Sequence, residues 1–336
     1  VRAYELPKRT GIDDLTLVER AMPKPGTRKV LVRVAACSLN FRDLAIVLGT
    51  YRAPVREKVI PLSDGAGEVV ETGPGVTHVR KGDRVAGSFF PRWTGGPIRP
   101  EKVRFALGGS VDGMLAEYVL LEDDALLKLP DHLSFEEGAT LPCAALTAWQ
   151  ALTVHGRLLP GDVVLMQGTG GVSIFALQFA KQIGAVTIIT SSSDEKLARA
   201  KALGADHTIN YRSTPDWDKA ALDITGDYGV DHVVEVGGAH TLERSLRAVR
   251  IGGAVSVIGV LTGAGEINPT LILGRRASVQ GMSVGSVEMF ETMNRAIAAA
   301  KLRPVIDRVF AFEEAREAFR YLESAKHFGK IVIRVA

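Results

Sequence analysis

Val163-Val-Leu-Met-Gln-Gly168-Thr169-Gly170-Gly171-Val172-Ser173 sets a β-branched run, a glycine turn and a helix start in direct succession. Glycines after a strand let backbone N–H groups approach a pyrophosphate, and the helix N-terminus that follows favours its negative charge. The chemistry this order suits is the holding of a dinucleotide. Ser173 stands where the usual pattern has its last glycine; it is small enough for close packing, but it is a departure. A tight strand–helix turn without a ligand is the bland alternative.

A second pattern lies about twenty residues on, where a dinucleotide site that takes NAD carries an acid for the ribose 2′-hydroxyl. The strand Val186-Thr-Ile-Ile-Thr ends instead at Ser191-Ser192-Ser193. With no carboxylate there, a 2′-phosphate is not repelled, and Lys196 and Arg212 add nearby cations. These residues point to NADP(H) over NAD(H). The rival reading makes Asp194 the ribose ligand; a carboxylate in the first turn of the next helix, where it complements the dipole, is the expectation adopted. For Lys196 the bland alternative is a solvated helix face.

Those residues need two kinds of scaffold. Up to about residue 125 the chain reads as short strands cut by Gly and Pro, for example Val30-Leu-Val-Arg-Val-Ala, Gly67-Glu-Val-Val-Glu and Asp83-Arg-Val-Ala, which predicts an irregular β-barrel. From about Ser134 strands and helices alternate. Six strands, beginning at Val163, Val186, His207, Asp231, Ala254 and Ala277, predict a parallel, doubly wound sheet of the Rossmann kind. Helices are expected at Glu195–Leu203, Thr241–Val249, Val287–Lys301 and Glu314–Ser324. A final strand, Ile331–Val335, rejoins the first domain. The expected domains are residues 1–125, residues 126–284 and a return over residues 285–336, with the cleft between domains as the ligand site.

Bulk properties narrow the class. The 336 residues carry 41 Lys and Arg against 38 Asp and Glu, a net charge of +3, and no basic block that would mark a nucleic-acid surface. The two cysteines, Cys37 and Cys143, exclude a disulfide framework and fit a reducing compartment. No apolar run reaches the length of a membrane span. The opening Val1-Arg-Ala-Tyr-Glu-Leu reads as a strand rather than a signal peptide, so a cytoplasmic location is expected.

Taken end to end, the chain resembles the medium-chain dehydrogenase/reductases. The motifs are Ala36-Cys-Ser-Leu-Asn40-Phe41-Arg42-Asp43, Pro61-Leu-Ser63-Asp64-Gly65-Ala-Gly67, Lys81-Gly-Asp83-Arg-Val, Gly113-Met-Leu-Ala-Glu-Tyr118, Leu141-Pro-Cys143-Ala, the glycine turn, Ala202-Leu-Gly-Ala-Asp206 and Phe328-Gly-Lys330-Ile-Val. The resemblance implies a GroES-like barrel followed by a Rossmann domain. It places Asn40, Ser63 and Cys143 at the three positions that hold catalytic zinc in zinc-dependent members. The region from Phe89 to Asp112 lacks the four cysteines of that family's structural zinc lobe. Zinc prefers thiolate and imidazole, so no zinc is expected, and Cys143 is expected to be a buried, inert residue.

The same resemblance puts Ser191 in place of the ribose carboxylate, Tyr211 at the 2′-phosphate, Thr147, Ile258, Met282 and Ser283 along the nicotinamide, and Lys330 at the cofactor or the domain junction. Arg42 stands where alcohol dehydrogenases carry a proton relay. Arg42 has two readings, an aid to an enolate or a partner of Asp43 or Asp64. Asn40 is a candidate donor to a carbonyl or to the ribose, and Tyr51 is either a proton donor or an aromatic wall. Asp64 is expected to be a structural hydrogen-bond acceptor. Phe41, Phe90 and Trp93 are candidate pocket residues, and Phe89-Phe-Pro-Arg-Trp93 reads as an apolar lid or as a loop packed on the barrel. The seven histidines show no ligand spacing.

Three functions stay open. The first is zinc-independent, NADPH-dependent reduction of a quinone or an activated C=C bond. The second is a zinc-independent alcohol or carbonyl oxidoreductase, and the third is a non-catalytic NADPH-binding protein. The expected partners are a small-molecule substrate and a second copy joined through the last Rossmann strand, with neither nucleic acid nor membrane.

Overall fold

A computed structural model describes residues 1–263 and 265–336. The chain divides into two compact units, residues 1–146 with 284–336, and residues 147–283. Strands are numbered along the chain. The first unit opens with β1 (Arg2–Glu5), β2 (Thr16–Glu19), β3 (Lys29–Ser38), β4 (Asp64–Thr72), β5 (Arg84–Gly87), β6 (Tyr118–Glu122) and β7 (Leu126–Lys128). β1 and β2 form a separate antiparallel pair. β3 pairs with β4 and also with β6, β4 with β5, and β5 with β7, all antiparallel. β3 is buried along most of its length, and register breaks where it meets β4 bend this sheet on itself.

The second unit is the expected parallel sheet. Its strands are β8 (Val163–Gln167), β9 (Val186–Ser191), β10 (His207–Asn210), β11 (Val230–Glu235), β12 (Val249–Val257) and β13 (Ser278–Gly281). They lie in the order β10-β9-β8-β11-β12-β13. All five pairings are parallel. The chain runs outward from β8 to β10, then starts again at β11 on the other side of β8. The sheet therefore reverses its winding between β8 and β11, where open sheets of this type bind ligands at the carboxyl ends of their strands.

The return supplies β14 (Ile306–Ala311) and β15 (Lys330–Arg334). β15 pairs antiparallel with β3, as the sequence predicted for the last strand. Phe310, Phe312, Phe319, Leu322, Ile331 and Ile333 share one buried cluster with Val30, Val32, Val34, Leu44 and Ile46. At about 1.5–3 kcal/mol for each buried side chain, the six from the return together match the whole net stability of a typical domain. The first unit depends on its C-terminal piece.

Several boundaries differ from the sequence reading. The first unit runs to Leu146 rather than to residue 125. The residues in between are tied to it: Cys143 donates its N–H to Asp64 Oδ2 at 3.1 Å, and Arg334 of β15 bonds Glu136 at 3.0 Å. A helix at Trp217–Ile224, unforeseen, is held by burial of Trp217 and Ala221. β12 begins at Val249, not Ala254, because it runs through Gly252 and Gly253 with a shift of register against β11. β13 spans four residues rather than the eight expected, and Val284 beyond it turns left-handed at φ 50°. No helix among the described residues is long and apolar enough to cross a membrane.

Candidate active site

The predicted cofactor residues of the second unit collect at one edge of its sheet. Gly168 to Val172 follow β8; Ser191 ends β9 and Ser192 follows it; Tyr211 follows β10; Ile258 follows β12; Met282 and Ser283 follow β13. Each is at or just past a carboxyl end, the side on which doubly wound sheets bind ligands. Gly168 is left-handed at φ 70°, with open space where a side chain would stand. The helix Gly171–Ile183 begins at Gly170 with no side-chain cap, so its first N–H groups face outward uncovered by a side chain. Ser173 donates to Gln167 O at 2.6 Å, which closes the turn from beneath and explains why serine serves there.

At the end of β9, Ser193 caps the helix Asp194–Ala202 and accepts the Lys196 N–H at 3.3 Å. Asp194 is in the first turn, as expected, and accepts from Asn210 Nδ2 at 2.6 Å. Its carboxylate is thus engaged next to β10. Tyr211 is half-exposed. Thr147 and Thr169 are buried.

Beneath this edge lies a polar network that the sequence reading missed. Glu235, the last residue of β11, is fully buried. Its Oε1 accepts from Gly237 N–H at 2.7 Å, Gly238 N–H at 3.0 Å and Thr241 Oγ1 at 2.6 Å. Its Oε2 accepts from Gln167 Nε2 at 2.7 Å and Ser245 Oγ at 2.5 Å. Gln167 returns its Oε1 to the N–H groups of Val236 and Gly237, both at 3.2 Å. The available signal was an acid inside the apolar strand Val230–Val236, which has to find donors if it is buried.

In the first unit, a different cluster occupies the positions that the resemblance linked to zinc. Asp64, buried at the start of β4, accepts from Ser63 Oγ at 2.7 Å and from the Cys143 N–H. Lys330, 3% exposed, donates its Nζ to Leu39 O and to Asn40 Oδ1, both at 2.6 Å. Burial raises the Asp64 carboxyl above its usual range, against the pull of the Lys330 ammonium and of the Asn40 and Ser63 side chains. Burial pushes Asp43 up to about 6, opposed chiefly by Arg42. Cys143, expected to be buried, is partly exposed as a residue; burial of its sulfur and the nearby Asp64 carboxylate raise its thiol above the usual range. Lys330 was expected at the cofactor or the domain junction; its ammonium bonds Leu39 and Asn40. A buried lysine needs partners for its charge, and a carbonyl and an amide oxygen inside the same unit provide them.

Arg42 joins the two parts of this lobe. Its Nη1 donates to Leu107 O at 2.7 Å, and its guanidinium lies 4.6 Å from the Phe89 ring and 5.2 Å from the Tyr51 ring. Asp43 Oδ1 is 3.8 Å away. The Nε and Nη2 atoms are shielded from solvent. Arg42 is thus a largely buried cation near Asp43 that packs on two aromatic rings, a contact the sequence reading did not foresee. Tyr51 is partly exposed. Phe90 and Trp93 are buried, and Trp93 Nε1 donates to Gly96 O at 2.9 Å. Of the two readings of this segment, the burial of Phe89, Phe90 and Trp93 favours the packed loop, because three large aromatics bury more favourably than they stand in water. Phe41, 54% exposed, is the aromatic that faces outward.

Comparison with known proteins places this architecture. Residues 26–131 match the family model described as the alcohol dehydrogenase GroES-like domain, and residues 171–299 match that described as zinc-binding dehydrogenase. The chain is 45% identical to a zinc-type alcohol dehydrogenase-like protein of Schizosaccharomyces pombe, over 97% of this chain and 96% of the relative. It is 30% identical to the quinone oxidoreductase of Rattus norvegicus, over 93% and 91% of the two chains. The crystal structure of an NAD-dependent alcohol dehydrogenase superposes with a TM-score of 0.91 at 34% identity, covering all of both chains. The chain belongs to the medium-chain dehydrogenase/reductase family.

As a member of that family it is an oxidoreductase that uses a nicotinamide cofactor, which sets aside the non-catalytic alternative. The uncapped helix start, the left-handed Gly168 and the open space over Gly168 and Gly170 fit the diphosphate of such a cofactor. Zinc fits poorly. Asn40 already gives its oxygen to a lysine ammonium, and Ser63 donates to Asp64. Among the described residues no group of three or more His, Cys, Asp or Glu is placed to hold a metal ion.

Proposed function

We propose that this medium-chain dehydrogenase/reductase is a zinc-independent, NADPH-dependent reductase of quinones or of C=C bonds conjugated to a carbonyl. The observation that carries the reading is the Lys330 ammonium on Asn40 Oδ1, a cation with its own partners at the place where other members seat a metal. Without a Lewis acid, a developing alkoxide lacks its strongest stabiliser. Conjugate reduction asks for less, since its enolate spreads the charge and a hydrogen-bond donor suffices.

When bound, the nicotinamide supplies the hydride. The chain's own residues then receive the negative charge and the proton balance. Tyr51, with its ring held against the Arg42 guanidinium, is the donor this reading assigns to the substrate oxygen. Arg42 positions that ring rather than touching substrate, because its buried face is closed to solvent. The Ser191-Ser192 end of β9, with Lys196, Tyr211 and Arg212, supports a 2′-phosphate over a bare ribose. The similarity to a quinone oxidoreductase supports the substrate class. The similarity to an NAD-dependent alcohol dehydrogenase favours a second reading, a zinc-independent NAD-dependent alcohol or carbonyl oxidoreductase.

The deciding experiment follows NADPH and NADH oxidation with quinones, 2-alkenals and simple ketones on protein of measured metal content. Quinone or alkenal turnover with NADPH, no ketone turnover and sub-stoichiometric zinc is the expected result. Stoichiometric zinc whose removal abolishes activity, or turnover of ketones alone, overturns it. The reading also includes a homodimer through the outer edge of β13. A monomer by gel filtration would remove that part.

A further inference from the structure

The link between Glu235 and Gln167 crosses the one place where the parallel sheet reverses its winding. Gln167 is the last residue of β8 and leads directly into the glycine turn; Glu235 is the last residue of β11. Neighbouring strands at a switch point send their following loops in opposite directions and leave a crevice between them. At this switch point lies a fully buried carboxylate with five donors, all of them neutral.

Each donor belongs to a segment that borders the crevice. Gly237 and Gly238 form the loop after β11, and Gly238 has φ 101° and ψ −140°, a conformation open in practice to glycine alone. Thr241 and Ser245 stand on the helix Ala239–Ala248. The loop after β12 is pulled in as well, since Ile258 donates its N–H to Glu235 O at 2.8 Å and Thr262 donates its N–H to Gly237 O at 2.8 Å. The buried side chain therefore ties the glycine turn to the loop after β11, and main-chain hydrogen bonds fasten the loop after β12 to that same segment.

We propose that Glu235 is a positioning residue for the dinucleotide: acting through Gln167 and the Gly237–Gly238 amides, its carboxylate holds the glycine turn and the facing loops in the arrangement that accepts the diphosphate. The carboxylate is suited to this because it only accepts. A glutamine at 235 would turn an NH2 group towards donors and leave at least one of them unmet. The inference rests on a dinucleotide lying over the glycine turn, but not on NADPH over NADH, nor on the substrate.

The test compares Glu235→Gln and Gln167→Met with the wild-type protein. Dissociation constants are measured for NADPH and NADH by fluorescence, and for an adenosine fragment without a diphosphate by saturation-transfer NMR. The fragment is adenosine 2′-monophosphate if NADPH binds and adenosine if NADH binds. Both variants are expected to weaken the dinucleotide tenfold or more per folded molecule, while fragment affinity changes by less than about twofold. The double variant should be no worse than Glu235→Gln alone, since both changes break one network. A residue that merely glues β8 to β11 would lower the Tm and leave both affinities unchanged, and that result overturns the proposal. Equal losses for dinucleotide and fragment overturn it too. If Glu235→Gln does not fold, Gln167→Met decides alone, and unchanged dinucleotide binding there is equally fatal. Wild-type protein that binds neither dinucleotide is a separate failure, which removes the reading of the turn itself.

Discussion

Glu235 in the nucleotide unit and Asp64 in the catalytic unit are both fully buried, yet different partners make them tolerable. Glu235 is surrounded by neutral donors, two of them backbone amides and three of them side chains. Asp64 sits in a knot of charge with Asp43, Arg42 and Lys330, and two of those carboxyls are pushed up by burial. Neutral donors fix geometry and are insensitive to charge elsewhere. A knot of charges keeps its members interdependent, and groups with displaced pKa values are where proton chemistry is usually found.

The largest expected effect is on the charged knot. Lys330→Met removes one cation from among two buried carboxylates and should lower the unfolding free energy by about 3–5 kcal/mol. Glu235→Gln should lower it by about 1–3 kcal/mol, the cost of an unmet buried donor. Urea unfolding of both variants checks the order, and a larger loss for Glu235→Gln would break the comparison.

Acid titration sharpens it. Asp43 has its pKa raised from 3.8 to about 6, so the native state keeps a proton that the unfolded chain has lost. That stability is present below pH 3.8 and lost as pH rises towards 6, amounting to about 3 kcal/mol for a shift of this size. In the nucleotide unit the sign is opposite. His232 is pushed down to about 3 by burial and by neighbouring His155, so the unfolded chain binds a proton that the native state refuses. Its stability is present above pH 6.5 and falls by about 1.4 kcal/mol for each pH unit below that. Between pH 4 and 6 the variant Asp43→Asn should gain stability with pH more steeply than wild type, and His232→Gln less steeply. Calorimetric Tm values across that range check both signs; parallel curves for the two variants would refute the contrast.

The smallest effect expected is catalytic. Tyr51→Phe keeps the ring beside Arg42 and removes only the hydroxyl. A fall of about tenfold in kcat corresponds to about 1.4 kcal/mol of lost transition-state stabilisation. Stopped-flow kinetics with saturating NADPH measure it, and an unchanged kcat would leave Tyr51 as an aromatic wall.

Much of the fold could be read from local pattern. The six parallel strands, the return of the last strand to the barrel and the Asp194 helix turn all follow from periodicity and capping, which act over a few residues. The misplaced features have non-local causes. Trp217–Ile224 is a helix because the core takes Trp217 and Ala221, and β12 starts early because its register is set by β11. For Phe90 and Trp93 the sequence left lid and packed loop both open, because composition marks a residue as apolar without saying which side of a loop is covered.

The order of residues through the glycine turn pointed by itself to a dinucleotide, since strand, turn and helix start are contiguous and their chemistry is that of the backbone. Only the folded chain decided how that turn is supported and which partners Asn40 and Lys330 take. Gln167 and Glu235 are 68 residues apart, and Asn40 and Lys330 are 290 apart. Hydrogen bonds between such distant side chains leave no spacing in the sequence, because strand pairing and burial create them.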